Sequence, residues 1–526
     1  MGMFFNPENS GFASSVRSRI YVDKTKLIDF TNSVLGTEER FVCVSRPRRF
    51  GKSMTVKMLA AYYSRGCDSR HLFQNLQISD MPGYEKNLNQ HNVIDLDMQW
   101  FHSIAKDKGI AEQTVPYMQT EVIRELRAQY PDILSEEDHS LPEALLKIHA
   151  SLGEQFIIII DEWDCIFREE KNNTAMQESY INFLRGLLKG IIAETYIELA
   201  YITGILPVKK YGTQSALNNF DEYTMISPAQ LELFIGFTED EVLHLCKKYH
   251  LDFQEARYWY DGYVFHSGLH VYNPKSVSEM IKRKHFDSYW AQTETYESLK
   301  YYINLNYNGL RDDILKMLDG DKVEVDTGAF QNDLVSFQSK DDVLTLLVHL
   351  GYLAYHEGSV FIPNEEVKDE FFRTVRNTDW DEIIKMTQRS DQLIKATLDM
   401  DQEQVARMLD EAHQHPSVSH LKYNDENSLC YVITNAYFCA AKDYIWVREM
   451  PSGKGFADIV YLPKRGHDKP AIVVELKWNK SAEGAINQIK NKQYPTSLKD
   501  FSKDILLVGI NYDKKTKTHT CIIEKI

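Results

Sequence analysis

No apolar run in this chain of 526 residues approaches the roughly 20 that a membrane-spanning helix needs; the longest strongly apolar one, around Phe156-Ile157-Ile158-Ile159-Ile160, is far too short. Cysteine is sparse as well. The seven, Cys43, Cys67, Cys165, Cys246, Cys430, Cys439 and Cys521, are odd in number and never form a CxxC pair. That excludes a disulfide or zinc framework and fits reduced thiols. The opening residues lack the charged and apolar regions of a secretory signal. Asn6 stands where a myristoylated N-terminus would carry Ser or Thr after Gly2. Internal repeats and low-complexity tracts are missing too. The expectation is a soluble, cytoplasmic protein with no membrane partner.

What the chain does have is core material. Hydrophobic residues make up 43% and aromatics 12%, which rules out disorder. The length exceeds one compact core and predicts about three domains or more. A net charge of −16 argues against general affinity for nucleic acid, but the charge is uneven. Residues 421–526 hold 17 Lys and Arg against 12 Asp and Glu, while the remainder holds 43 against 64. Any phosphate-rich partner is therefore expected at that segment.

The first motif lies in residues 39–63. Glu39-Arg40-Phe41-Val42-Cys43-Val44-Ser45 reads as a strand and Met54-Thr55-Val56-Lys57-Met58-Leu59 as a helix. Between them runs Arg46-Pro47-Arg48-Arg49-Phe50-Gly51-Lys52-Ser53, a phosphate-cradling loop in the strand-loop-helix context such a loop requires. Gly51 lets the backbone approach phosphate, and the helix amides offer an anion site. Lys52 would reach the β- and γ-phosphates, and the Ser53 hydroxyl would ligate Mg²⁺. Arg46 departs from the usual first glycine.

A second half-site supports the first. Gln155 to Ile160 is a β-branched run of the kind found in a parallel strand buried on both faces, and it ends in Asp161-Glu162. Asp161 would join the Mg²⁺ shell and Glu162 would activate the attacking water, unless this acidic end merely caps the next helix. A third run, Ile197 to Ile202, ends in Thr203-Gly204, where Thr203 either senses the γ-phosphate or makes an ordinary turn.

With Tyr21-Val22-Asp23-Lys24-Thr25, Leu217-Asn218-Asn219, Gly236-Phe237-Thr238-Glu239-Asp240-Glu241 and Trp259-Tyr260-Asp261-Gly262-Tyr263, these segments resemble the AAA-ATPase-like family of bacterial and archaeal proteins. The resemblance covers most of residues 1–290 and implies an ATP-binding α/β core with a helical lid. Its loop characteristically lacks the first glycine, which accommodates Arg46. Arg48 and Arg49 contact phosphate or a neighbouring subunit, or are solvated; an arginine finger in a homo-oligomer is open to Arg48, Arg49 or Arg168.

The middle is predicted helical. The cluster Tyr258 to Tyr263 either closes the nucleotide site or packs in the core. Further on, Leu344-Leu346-Leu347-Leu350 is followed by Gly351-Tyr352-Leu353-Ala354 and Ser359-Val360-Phe361-Ile362-Pro363, a winged-helix-like pattern. His413, His415 and His420 flank Pro416 in a polar stretch and are expected to be solvated rather than metal ligands.

From residue 421 the pattern changes. A helix opens at Asn424-Asp425-Glu426; strands are predicted at Tyr444–Glu449, Ala457–Leu462 and Ala471–Lys477, a helix at Ala482–Ile489 and a strand at Ile505–Ile510. Asp458 and Glu475 lie on neighbouring strands, where they can share a divalent cation. Lys477, two residues on, points to the same face as Glu475 and can orient a water. This αβββαβ order resembles the PD-(D/E)XK nuclease superfamily with its restriction-endonuclease-like fold. The resemblance implies that Glu426 supports the metal and that Gln488 and Tyr494 complete the site. Phe456 stands where the superfamily usually has arginine.

The expected organisation is a P-loop core at 1–235, a lid at 236–290, a helical and winged-helix-like connector at 291–420 and a nuclease-like domain at 421–526. The expected function is an ATP-hydrolysing hydrolase coupled to Mg²⁺-dependent cleavage of nucleic acid, DNA first, in defence against foreign DNA. The alternative is a nucleotide-regulated switch whose nuclease-like domain grips nucleic acid or a partner without cutting.

Overall fold

The β-branched runs form the centre of a five-stranded parallel sheet. Its strands are β1 (Phe41–Ser45), β2 (Asn92–Asp97), β3 (Phe156–Asp161), β4 (Ile197–Gly204) and β5 (Asp221–Tyr223), in the order β2-β3-β4-β1-β5. Both β1 and β3 are buried at every position, because helices cover both faces. The computed structural model describes residues 2–208, 217–234, 236–290, 295–304, 307, 309–328, 330, 337–376, 381–413, 426–437, 439–440, 443–452, 455–464, 469–492 and 504–526. The chain divides into two units, 1–371 and 372–526. Among the described residues no helix is long and apolar enough to cross a membrane. All seven cysteines are free thiols, as expected.

Beyond the parallel sheet, β6 (Phe237–Thr238), β7 (Tyr263–Val264) and β8 (His270–Tyr272) make a small sheet in the order β6-β8-β7. Helices Glu239–Tyr249, Phe253–Tyr260 and Pro274–Arg283 close over a core that includes Val242, Tyr260, Tyr272 and Met280. Thr238 and Glu241 form a reciprocal capping box on the first of these helices. Lys24 ties this lid to the N-terminal segment, donating to Glu241 at 2.6 Å and to the Leu233 carbonyl at 2.7 Å. Two family-like segments far apart in sequence are thus joined.

The winged-helix-like pattern folds as read. Helix Lys340–Leu350 leads into the hairpin of β10 (Ala354–His356) and β11 (Ser359–Phe361), and β9 (Val323–Glu324) adds a third strand on β11. This region presses on the phosphate loop from outside. Gly351 has φ 89°, and a Cβ there would lie 2.7 Å from Pro47 Cβ. Tyr263 Oη donates to the Gly351 carbonyl at 2.6 Å. The loop's own carbonyls are held as well. Arg48 O accepts from Asn273 Nδ2 at 3.5 Å and Trp290 Nε1 at 3.4 Å, and Phe50 O accepts from the Gly236 amide at 3.2 Å. Tyr260 is buried and donates to Asp287 O, so the aromatic cluster is largely core.

The second unit is a mixed sheet, β12 (Tyr444–Ser452), β13 (Gly455–Pro463), β14 (Ala471–Trp478), β15 (Ile505–Asp513) and β16 (Thr518–Lys525), in sequential order. Only β14 and β15 pair in parallel; the other neighbours are antiparallel. Helix Ala482–Asn491 packs its Ile486 and Ile489 on Val473 and Leu507. Helices Asp381–Leu398 and Gln402–His413, which precede residue 421, belong to this unit: Asp410 accepts from the His519 amide at 2.7 Å. The expectation for His413 is corrected. Its ring is half-buried, 4.5 Å from the Tyr512 ring, and burial pushes it down to about 4. His415 and His420 lie outside the described residues.

Candidate functional site

After β1 the chain turns through Arg46 to Gly51 and enters helix Lys52–Tyr63. Gly51 holds φ 87°, which a residue without Cβ takes freely. It stands at the N-cap and no side chain bonds the helix's first amides. Uncapped amides at the positive end of a helix attract an anion. Lys52 is only 4% exposed, and its Nζ donates to the Arg46 and Pro47 carbonyls at 3.0 Å each. Burial holds its pKa below the ordinary lysine value, against the pull of Glu162 and Asp161.

The parallel register sets Asp97, Asp161 and Thr203 in one row across β2, β3 and β4. The loop strand β1 lies beyond β4, so β4 separates the loop from the acidic strand. The Ser53 hydroxyl hydrogen-bonds Asp161. Burial, then the Glu162 and Asp97 charges, push Asp161 up to about 6. Asp95 is pushed up to about 7, by burial first and then by Asp161 and Asp97. Of these, Asp97 shares the row with Asp161 and also caps the next helix, its Oδ1 accepting from the Trp100 amide at 2.9 Å. Neither Asp95 nor Asp97 stood out in the sequence, where Asn92-Val93-Ile94-Asp95-Leu96-Asp97 mixes polar and apolar residues.

Glu162 follows with a left-handed backbone, φ 50°. Its carboxylate hydrogen-bonds Arg168, and its Oε1 lies 3.9 Å from Lys52 Nζ. Other expected residues do not join this group. Arg46 is 1% exposed and donates to the Ser45 and Tyr223 carbonyls at 3.0 Å, under the Phe265 ring at 5.9 Å. It pins the loop's base rather than reaching into the site. The Phe50 ring packs edge-on against Tyr263, and the Thr203 hydroxyl donates to Val44 O at 2.9 Å. Arg48 is half-buried and Arg49 is exposed.

Beside Gly51 lies a small cleft lined by Tyr21, Val22, Met54, Thr55 and Phe237 among others. Its walls are mostly apolar and aromatic. These residues come from segments over 200 positions apart, so no local pattern announces the cleft.

In the second unit, Ile459 pairs with Val474, which sets Asp458 beside Glu475 on the next strand. Asp458 Oδ2 accepts from the Leu476 amide at 2.8 Å. Glu475 is 1% exposed; its Oε1 accepts from Lys477 Nζ at 3.0 Å and also bonds Gln488 Nε2. Its Oε2 is buried with no hydrogen-bond partner. Burial first, then the Asp458 charge, push Glu475 up to about 7, with Lys477 opposing. The four residues Asp458, Glu475, Lys477 and Gln488 are thus brought together. Glu426 opens helix Glu426–Ala436, but its side chain, that of Phe456, and all of Tyr494 lie outside the described residues. Among the described residues no three His, Cys, Asp or Glu side chains gather as a ready metal cage.

Known proteins match in the same two places. Residues 15–213 match the family described as "Predicted AAA-ATPase", and residues 426–521 match the PD-(D/E)XK nuclease superfamily. An uncharacterized protein from the vnfD 5' region of Azotobacter chroococcum mcd 1 is 27% identical over 287 residues, covering 52% of this chain and 51% of that protein. The chain thus spans about half the length of this curated relative. A Walker-type ATPase of Pyrococcus abyssi aligns over 66% of this chain and 94% of its own, at 14% identity and a TM-score of 0.33.

Proposed function

We propose that this chain, which joins an AAA-ATPase-like domain to a PD-(D/E)XK nuclease superfamily domain, binds and hydrolyses ATP and cleaves nucleic acid, DNA first, with a divalent metal. One observation carries the second half: Glu475 Oε2 is a buried carboxylate oxygen without a partner, flanked by Asp458 and Lys477. A buried oxygen left bare costs about 1–3 kcal/mol, and more when charged, so it needs a ligand. Mg²⁺ or Mn²⁺ fits this donor set, with Asp458 and Glu475 as ligands and Glu426 as a candidate third. When bound, the ion would supply electrophilic stabilisation of the phosphodiester. Lys477, held by Glu475 and the Leu476 carbonyl at 3.0 Å, orients the attacking water. Gln488 fixes the Glu475 carboxylate from the neighbouring helix.

At the other site the uncapped amides of Lys52 and Ser53 receive the phosphates, and Lys52 exchanges its loop carbonyls for phosphate oxygens. Asp161, with Ser53, would hold Mg²⁺, and Glu162 takes the proton of the attacking water. Residence of both sites on one chain supports ATP-dependent control of cleavage, with defence against foreign DNA as its setting.

The test is cleavage of labelled DNA and RNA with Mg²⁺ or Mn²⁺, with and without ATP, using wild type, Lys52→Ala and Glu475→Ala. Cutting that needs Glu475 and responds to ATP through Lys52 is expected. Nucleic-acid binding without cutting under every condition sinks the nuclease and favours the switch.

A further inference from the structure

Glu162 is held in an unusual way. Its backbone sits at φ 50°, a conformation that costs a non-glycine residue about 1–2 kcal/mol, so surrounding contacts must impose it. The backbone is held directly, its amide donating to Asp161 Oδ1 at 3.0 Å and its carbonyl accepting from the Cys165 amide at 2.9 Å, while Arg168 of the helix Cys165–Glu169 hydrogen-bonds its carboxylate. Arg168 is paired in turn with Asp164: its Nε lies 3.1 Å from Oδ2, an ion pair rather than an aligned hydrogen bond. Asp164 is fully buried, and the same Oδ2 accepts from the Ile205 and Leu206 amides at 3.0 and 2.9 Å. Those amides follow directly on β4, the strand lying between the phosphate loop and the acidic strand. Trp163, beside Glu162, is fastened to the same segment through Nε1 to Leu206 O at 3.2 Å. The relay therefore runs from the main chain after β4 through Asp164 and Arg168 to Glu162.

We propose that Arg168 is a positioning residue for ATP hydrolysis, acting on Glu162 from within the same chain. The inference rests on the ATPase reading. In the reaction a water oxygen bonds the γ-phosphorus as the bond to the β,γ-bridging oxygen breaks. Glu162 accepts the water proton, and ADP and phosphate leave. The carboxylate must meet that water along one line, and Arg168 fixes its direction where the backbone alone leaves it free. An arginine that instead belonged to a neighbouring subunit's site would be exposed; this one is 9% exposed and committed to two carboxylates of its own turn.

The experiment is steady-state ATP turnover by the full-length chain as wild type, Arg168→Gln, Glu162→Gln and the Glu162→Gln/Arg168→Gln double variant. Loss of a positioning partner costs about 10- to 100-fold, so kcat of Arg168→Gln falls by that factor while KM for ATP stays within about threefold. The double variant turns over no more slowly than Glu162→Gln alone, because the arginine works through the carboxylate. Arg168→Lys recovers part of the loss. Since Arg168→Gln strands the buried Asp164 charge, Asp164→Asn/Arg168→Gln provides a second variant that removes both partners and shows the same fall in kcat. Additive losses in the double variant overturn the proposal, as they would mean that Arg168 acts on phosphate or on the fold independently. Faster turnover in Arg168→Gln overturns it too, making the pair a brake. If wild type hydrolyses ATP and Arg168→Gln matches it, only this inference falls. If wild type neither binds nor hydrolyses ATP, the nucleotide reading falls with it.

Discussion

Each unit places a buried lysine among carboxylates, yet the two sites ask for opposite ligands. In the first, Lys52 is satisfied by two main-chain carbonyls and opens a helix whose N-cap, Gly51, offers no side chain to its first amides. In the second, Lys477 is spent on Glu475, and what remains bare is an oxygen. Surplus donors call for a polyanion; a surplus acceptor calls for a cation. Residue type alone does not decide which; what the main chain leaves unsatisfied does.

The largest effects should separate the two sites. Lys52→Ala is expected to lower ATP turnover at least about 100-fold, and Lys477→Ala to lower cleavage by a similar factor, as loss of a charge at a reacting phosphate does. Cleavage measured without ATP should survive Lys52→Ala. Cleavage lost in both variants would break the comparison.

Two buried glutamates sharpen it. Glu366, like Glu475, is pushed up to about 7 by burial. Glu366, however, accepts from Tyr289 N, Trp290 N and Ser276 Oγ, so both its oxygens are used. A raised carboxyl pKa gives stability that is complete below about 4.5 and lost as pH rises through about 7. At roughly 1.4 kcal/mol per unit that contribution is on the order of 3 kcal/mol. Glu366→Gln should flatten this part of the pH profile of chemical denaturation with little change at pH 5. Glu475→Gln should instead abolish the rise in melting temperature that Mn²⁺ gives wild type.

A smaller effect reaches the loop from a distance. Gly351→Ala drives a Cβ into Pro47 at a strained φ and should cost about 2 kcal/mol of stability while weakening ATP binding in calorimetry. Mn²⁺ binding by the other unit should be unchanged. Smallest of all, Thr203→Val removes the bond to Val44 O, costing about 1 kcal/mol, with ATP turnover within about threefold of wild type. A larger drop in turnover would show that the hydroxyl leaves Val44 for phosphate.

The legible parts of the chain were those with strong local patterns. β1, β3 and β4 announce themselves as apolar runs, and Asp161 at the end of β3 falls on one row with Thr203 of β4 and Val44 of β1. β14 carried Glu475 and Lys477 at strand spacing, and helix Ala482–Asn491 delivered Gln488. β16 was missed because its buried alternation is His519, Cys521 and Ile523, of which only one is an ordinary strand hydrophobe. Arg46 was read as phosphate-binding from its place in the loop, whereas its long stem reaches the carbonyl at the end of β5. The partner of Glu162 was unreadable: an arginine six positions on marks no motif until a short helix turns it back.

The phosphate loop is fastened on its outer side, where Asn273, Trp290 and Gly236 hold carbonyls of Arg48 and Phe50. A loop whose carbonyls are tied outward has already surrendered its conformational entropy during folding. Fixing one residue's backbone costs about 1–2 kcal/mol, and that cost need not be met again when a nucleotide arrives. On the ATP-binding reading, these outward ties would contribute to affinity through the loop they hold, and loosening them would weaken nucleotide binding even where the contacts of the bound state are unchanged.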